Sequence, residues 1–120
     1  MKKRTVYISH PSSGLEENTK KIEQIIQELY SSDYMFENYV FISPVHNFGF
    51  MYHNTEYNRG IAYCTDLLEH CDIMLLCGEW ENSNGCNIEL AKCKELNIPV
   101  VEARSIENIR DMIAKHEIKV

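Results

Sequence analysis

The chain has 120 residues, of which 44% are hydrophobic and 25% are charged, a balance typical of one globular domain. Its 18 acidic and 12 basic residues give a formal net charge of −6, which disfavours a nucleic-acid polymer as partner because like charges repel. A small phosphorylated ligand stays compatible with this charge, since a few amides and one arginine can form a local positive pocket. No apolar stretch is long enough for a signal peptide or a membrane span, so we expect a cytoplasmic protein with no membrane partner.

The five cysteines are odd in number and lie inside periodic apolar segments. They form no C-x-x-C pair and no His/Cys cluster at zinc spacing. We therefore expect buried, reduced thiols that act as small hydrophobic side chains, and we predict neither a metal site nor a cofactor. The five are Cys64, Cys71, Cys77, Cys86 and Cys93.

The first half of the chain alternates strand and helix patterns. Residues 5–9 form a β-rich run that stops at the turn residues 10–14. Apolar residues then recur at helical spacing from Leu15 to Leu29, and a second strand over 39–43 ends before Pro44. From His46 to about Asn58 the chain is polar and aromatic with no clean period. A loop of this length in so small a domain is usually a functional loop or a lid.

The second half continues the alternation. The sequence predicts a helix over 59–70, a strand over 73–77, a helix over 86–96, a strand over 99–101 and a helix from Ser105 to about Lys115. The strand over 73–77 is apolar on both faces, which indicates the middle of a parallel sheet that helices cover on both sides. A loop over 78–85 follows it.

This alternation predicts the fold class. We expect a single α/β domain over residues 1–120, with a doubly wound, flavodoxin-like parallel sheet of about four strands, in an order near 2-1-3-4, and helices on both faces. In such sheets ligands bind beyond the carboxyl ends of the strands, at the point where the strand order reverses. The loops over 9–14, 43–58 and 78–85 are therefore the expected walls of a binding site.

Glu89 is the most informative polar residue. At 100° per residue it shares one helix arc with the apolar side chains Cys86, Leu90 and Cys93. Burying an unpaired carboxylate is costly, so such a residue faces a pocket or has a partner, and it could serve as a nucleophile or a general base. The alternative is an ordinary first-turn acid: if Cys86 were the N-cap, Glu89 would occupy position N3, where glutamate is common.

Two loops carry candidate ligand-binding residues. Ser83, Asn84 and Gly85 open the helix that bears Glu89 and could hold an oxyanion or a phosphate, although serine and asparagine are also ordinary N-caps. The loop after the first strand contains neither G-x-G-x-x-G nor G-x-x-x-x-G-K-[ST], so a dinucleotide fold or a Walker-type ATPase is unsupported. Its candidate residues are Ser9, His10, Ser12 and Gly14.

Four further residues are candidates because of their positions in these loops. Trp80 could stack on a base, or it could cap the core or an interface. Arg59 could reach a phosphate, or it could be a surface arginine. His46 and His53 lie in the long loop at no metal spacing, so they are candidates for ligand contact only.

Together the apolar strands and the spacing S-x-G-x-x-x-E-L, formed by Ser83, Gly85, Glu89 and Leu90, resemble the nucleoside 2-deoxyribosyltransferase superfamily. That superfamily includes the 2′-deoxynucleoside 5′-phosphate N-hydrolases. The resemblance covers residues 7–101 and is strongest to a small branch common in phages and Gram-positive bacteria. It implies a bacterial or phage-infected host cytoplasm as the location.

The resemblance also implies roles for individual residues. Glu89 would attack the anomeric carbon of a deoxynucleoside and form a glycosyl-enzyme ester, which water or a second base resolves. Tyr7 would orient that carboxylate, while Ser83 and the loop over 9–14 would hold sugar or phosphate. Members of the superfamily complete each other's pockets, so a homo-oligomer is expected.

One position departs from the superfamily pattern. Cys64 stands where its enzymes carry an aspartate, and the nearest acid, Asp66, falls on the opposite helix face. General acid–base assistance typically contributes ~10²–10⁴ in rate, so its loss leaves three functions open. They are an N-glycosidase or transferase, a non-catalytic module that sequesters a nucleotide signal such as an ADP-ribose derivative, and an interaction scaffold with a vestigial site.

Overall fold

The computed structural model describes residues 2–12, 16–54 and 56–118, without the side chains of 52–54. Its centre is a four-stranded, fully parallel sheet in the order β2-β1-β3-β4. The strands are β1 (Arg4–Ser9), β2 (Tyr39–Ile42), β3 (Ile73–Cys77) and β4 (Val100–Ala103). The predicted α/β class and strand order are confirmed. The order reverses between β1 and β3, so the carboxyl ends of these two strands form the expected ligand crevice.

The described residues form six α-helices around the sheet, and five of them make up two layers that cover its faces. Buried side chains of α1, α2 and α6 pack on one face of the sheet, and buried side chains of α4 and α5 pack on the other. The helices are α1 (Glu16–Tyr30), α2 (Asp33–Asn38), α3 (Pro44–Phe48), α4 (Tyr57–Leu68), α5 (Asn84–Leu96) and α6 (Ile106–Ala114).

Strand alternation divides the core into two clusters. On β1, Val6 and Ile8 point to the α1/α6 side, while Tyr7 joins the cluster on the α4/α5 side. All five residues of β3 are buried, as predicted for a strand that helices cover on both faces. The five cysteines are buried and none forms a disulfide.

Two segments differ from the sequence-based prediction. The short helix α2 was not predicted; Ser32 caps it by accepting a hydrogen bond from the Met35 N–H, and the buried Met35 side chain anchors it. The prediction of an aperiodic loop over 46–58 was wrong, because α3 and a 3-10 helix (Gly49–Asn54) occupy most of it and α4 begins at Tyr57. These short elements contain too few turns to produce a visible hydrophobic period. Within the described part of the chain, no helix is both long and apolar enough to cross a membrane.

Candidate functional site

The position of Glu89 is set by the cap of α5. Ser83 is the N-cap, and its Oγ accepts a hydrogen bond of 3.3 Å from the Cys86 N–H. Cys86 therefore occupies N3, and the alternative that Glu89 is an N3 acid is wrong. Glu89 lies beyond the first turn on the buried arc between Cys86 and Cys93, where it points at the sheet.

The carboxylate of Glu89 is held by two donors from one strand. The Tyr7 hydroxyl donates to Oε2, and the Ser9 Oγ donates to Oε1 at 2.8 Å. Tyr7 and Ser9 are two residues apart on β1, so both side chains reach the face that α5 covers. Only 7% of Glu89 is exposed. The buried carboxylate predicted from the helix arc thus has partners, and both of its oxygens are fixed in orientation.

Burial governs the protonation of this group. Removal from water raises the pKa of Glu89 above its ordinary value, while the hydrogen bonds from Tyr7 and Ser9 partly oppose that shift. The pKa of Tyr7 is raised strongly, first by burial and then by the Glu89 charge. Tyr7 therefore keeps its proton at physiological pH and acts only as a donor to the carboxylate.

Two thiols complete the surroundings of the carboxylate. The Cys64 thiol interacts with the Tyr7 hydroxyl, and Cys86 lies beside the hydroxyls of Ser9 and Ser83. Burial raises the pKa of the Cys86 thiol, so it is uncharged at pH 7. Asp66 is exposed and does not replace the carboxylate that the resemblance would place at position 64. The immediate neighbours of Glu89 are therefore uncharged hydroxyls and thiols.

Glu89 lines a cavity of about 730 Å³ between the end of β1, the residues that follow β2 and the starts of α4 and α5. This volume lies within the range of about 300–1,000 Å³ of small-molecule sites. One part of the wall is apolar and contains Ile8, Ile22, Pro44, Val45 and Ile61. The polar part comes mainly from the start of α5 and contains Asn82, Ser83, Asn84 and Gly85. The cavity can thus contact both an apolar ring and several hydroxyl groups.

Four of the predicted ligand-binding residues line the same cavity as Glu89: His10, Ser12, Ser83 and Gly85. The His10 Nδ1 lies 2.7 Å from the Pro11 carbonyl oxygen. Because a carbonyl only accepts, Nδ1 carries a proton, and Nε2 of the neutral ring is left as an acceptor. Tyr7 and Ser9 are not part of the lining; they lie behind the carboxylate and hold it.

The structure does not bring three other candidates to this cavity. His46 bridges Ser43 Oγ, 2.8 Å from its Nδ1, and Glu23, 2.7 Å from its Nε2. Arg59 is exposed in the first turn of α4. The Trp80 indole N–H donates to Glu102 at 3.1 Å, and the ring packs against the cluster on the α4/α5 side. These contacts give Trp80 the role of a cap on the core, the alternative already considered.

Two candidates cannot be placed. Gly14 lies outside the described residues, and so does the side chain of His53. Asn84 lines the cavity beside Ser83 and Gly85, and so do Glu56 and Tyr57, for which the sequence indicated only the loop over 43–58 that contains them. Asn84 Nδ2 donates to the Tyr57 hydroxyl at 2.8 Å, which joins the starts of α4 and α5. These residues lie at the starts of helices that follow β2 and β3, and the loops before those helices flank the crevice. Their positions in the sequence therefore indicated that they could line the cavity.

The donor atoms of the site do not suggest a metal. In the ranges that the structure covers, no group of three or more His, Cys, Asp or Glu side chains converges closely enough to bind an ion.

Comparison with known proteins gives one family. A family model described as a domain of unknown function (DUF4406) matches residues 4–102, a span that includes all four strands apart from the end of β4 and contains Tyr7, Ser9 and Glu89. No curated protein matches the chain.

Proposed function

Because the chain belongs to the DUF4406 family, whose description assigns no activity, we propose a function from the site itself: the protein binds a nucleoside- or nucleotide-type ligand and cleaves or transfers its N-glycosidic bond, with Glu89 as the nucleophile. The single observation that carries this proposal is the Glu89 carboxylate. It is buried, fixed by two hydroxyl donors, and open to a cavity large enough for such a ligand.

The geometry of the carboxylate suits attack on a sugar carbon. A carboxylate oxygen has two lone-pair sites, so each oxygen of Glu89 retains one site after it accepts a bond from Tyr7 or Ser9. The two donors restrict rotation of the group, which lowers the entropy lost when it must face an anomeric carbon. Retaining glycosidases use a carboxylate nucleophile in this way.

The proposed reaction has two steps. A Glu89 oxygen forms a bond to the anomeric carbon as the carbon–nitrogen bond breaks, and the electron pair leaves with the base, which takes a proton from water. Water, or the nitrogen of a second base, then attacks the same carbon and loses a proton. The ester bond breaks and the Glu89 carboxylate is regenerated.

The lining of the cavity supports a nucleoside-type ligand. Its apolar wall, with Ile22 and Val45 among its members, offers a surface for a planar base. The start of α5 offers Ser83 and Asn84 to sugar hydroxyls beside Glu89. The resemblance to the nucleoside 2-deoxyribosyltransferase superfamily supports the same assignment, including the homo-oligomer that light scattering on the purified protein would detect.

A second function is favoured by one observation. Among the described residues, the side chains that interact with Glu89 are hydroxyls and thiols, and none of them is a carboxyl group that could protonate a leaving base. The other carboxyl group in the cavity lining, Glu56, is exposed. A protein with such a site could hold a nucleotide, such as an ADP-ribose derivative, without cleaving it. This alternative is a sequestering protein on the same cavity.

One experiment separates the two functions. The purified protein is incubated with pooled nucleosides, deoxynucleoside monophosphates and ADP-ribose-type compounds, and mass spectrometry is run on the supernatant and on ligand released by denaturation. Free base or sugar product is expected from the wild-type protein and not from Glu89→Gln. The matched control is Glu95→Gln, which changes an exposed carboxylate on the same helix.

The protein itself provides a second readout. During turnover, a glycosyl-enzyme ester adds the mass of the sugar to the peptide that contains Glu89, and the adduct is absent from the Glu89→Gln variant. Intact ligand recovered from the protein, with no free base, would favour the sequestering protein. Equal turnover by the wild-type protein and by Glu89→Gln would refute Glu89 as the nucleophile.

A further inference from the structure

The cavity has an unusual charge distribution for a site that would bind a phosphorylated ligand. Two carboxylates, Glu56 and Glu89, line it, whereas no lysine or arginine does so among the described residues. Recognition of a phosphate normally uses arginine, lysine or converging backbone N–H groups.

The histidine in the lining does not supply the missing positive charge. Burial lowers the pKa of His10, the Pro11 carbonyl partly opposes this, and Lys21 lowers it further. His10 is therefore neutral at pH 7, with Nε2 as an acceptor.

The helix ends near the cavity are equally unsuited to a phosphate. The first turn of α1 carries Glu16 and Glu17, and these carboxylates offset the affinity of a helix N-terminus for anions. At the start of α5 the Cys86 N–H already donates to Ser83 Oγ. The amides that remain there suffice for sugar hydroxyls, which need neither a cation nor a full set of donors.

We propose that Glu56 is a specificity-determining residue: together with Glu89 it makes the cavity accept an uncharged nucleoside and reject the same compound with a 5′-phosphate. The inference rests on the proposed function and goes beyond it by stating the charge of the substrate. A phosphate brings about −1.5 to −2 charges at pH 7 into a partly enclosed cavity that two acidic side chains line and no lysine or arginine among the described residues does. Glu56 is exposed at the N-cap of α4 and makes no side-chain capping hydrogen bond, so its replacement leaves the fold intact.

The test compares a deoxynucleoside with its 5′-monophosphate. We expect the wild-type protein to favour the nucleoside at least tenfold in kcat/KM, Glu56→Gln to reduce that ratio several-fold, and Glu56→Lys to reduce it further. Salt should weaken the discrimination, since it screens charges near the surface. Glu107→Gln, which removes an exposed charge on α6 away from the cavity, is the matched control and should keep the wild-type ratio.

Binding measurements separate this inference from the proposed function. Dissociation constants for both compounds are measured by calorimetry with Glu89→Gln, which prevents cleavage and leaves Glu56 as the remaining acidic group of the pair, alone and combined with Glu56→Gln or Glu107→Gln. Selective binding of the nucleoside without cleavage by the wild-type protein would refute the proposed function alone. A preference for the monophosphate, a ratio that Glu56→Gln and Glu56→Lys leave unchanged, or binding of neither compound would overturn the inference.

Discussion

The hydrogen bond from Tyr7 to Glu89 can be tested by removing one oxygen atom. Tyr7→Phe keeps the ring in a position that is 0% exposed, and it deletes the hydroxyl that donates to Glu89 Oε2. Ser9 then remains as the other donor, at Oε1. Because the Tyr7 bond lowers the pKa of Glu89, its loss should raise that pKa further above the ordinary value.

The size of this effect follows from the nature of the bond. A hydrogen bond to a charged group contributes about 1.5–3 kcal/mol, which corresponds to a factor of roughly 10 to 100 between the ionised and the protonated carboxyl. Only the ionised form is a nucleophile. At a pH where the wild-type carboxyl is mostly ionised, turnover by Tyr7→Phe should fall by up to this factor and recover as the pH is raised.

Carbon-13 NMR of protein labelled at the glutamate carboxyl carbons measures the protonation of Glu89 directly, and Glu89→Gln identifies its signal. The control is Tyr39→Phe, which removes the hydroxyl of a buried tyrosine on the other side of the sheet. We expect the Glu89 signal to titrate at higher pH in Tyr7→Phe and at the wild-type pH in Tyr39→Phe. An unchanged or lower midpoint in Tyr7→Phe would refute the claim that this bond stabilises the charged form.

Three further predictions concern stability and ligand approach. Because the pKa of Glu89 in the folded protein lies above its ordinary value, stability that is present at low pH is lost as the pH rises through that pKa. Glu89→Gln should therefore stabilise the protein by roughly 0.5–2 kcal/mol at pH 7 and leave its stability unchanged near pH 3. Urea titrations at both pH values check this, and an equal gain at both would contradict it. Gly78→Ala should cost about 1–2 kcal/mol, because Gly78 has φ +69° and a Cβ there would lie 3.1 Å from His10 Nε2; an unchanged urea midpoint would count against the strain. Gly85→Ala should stabilise α5 by roughly 0.5–1 kcal/mol, since the nearest contact of the new Cβ would be Ile61 at 3.9 Å. The same substitution should weaken ligand binding measured by calorimetry, because the methyl group would stand in the cavity wall. Unchanged affinity would show that no ligand approaches the backbone at Gly85.

The strands and their order were predictable because each strand is a short apolar run between turn residues. The fully apolar β3 identified the middle of the sheet, and this followed from composition alone. The helix α2 and the helical segment over 44–54 were not predictable in the same way. They are only one or two turns long, and tertiary contacts such as the burial of Met35 stabilise them more than local periodicity does.

The candidate site was predictable in part. The angular position of Glu89 on its helix indicated a buried carboxylate, and the structure places it there. Its partner Tyr7 was expected only through a resemblance, although the i, i+2 spacing of Tyr7 and Ser9 on β1 puts both hydroxyls on one face. Glu56 and Tyr57 were expected only as part of the loop over 43–58, because which residues of a loop line a cavity is decided by packing between distant segments. A helix pattern does not contain that information.

The sheet divides the core into two clusters whose side chains differ in kind. The cluster on the α1/α6 side contains aliphatic and aromatic side chains such as Ile25 and Leu29, which do not line the cavity, while the cluster on the α4/α5 side includes Tyr7 and three cysteines. Free-energy changes at sites more than about 7–10 Å apart with no shared partners usually add. A substitution that improves packing on the α1/α6 side can therefore offset the destabilisation caused by a buried carboxylate across the sheet. Substitutions around Glu89 can then alter the chemistry of the site while packing on the α1/α6 side maintains the stability of the fold.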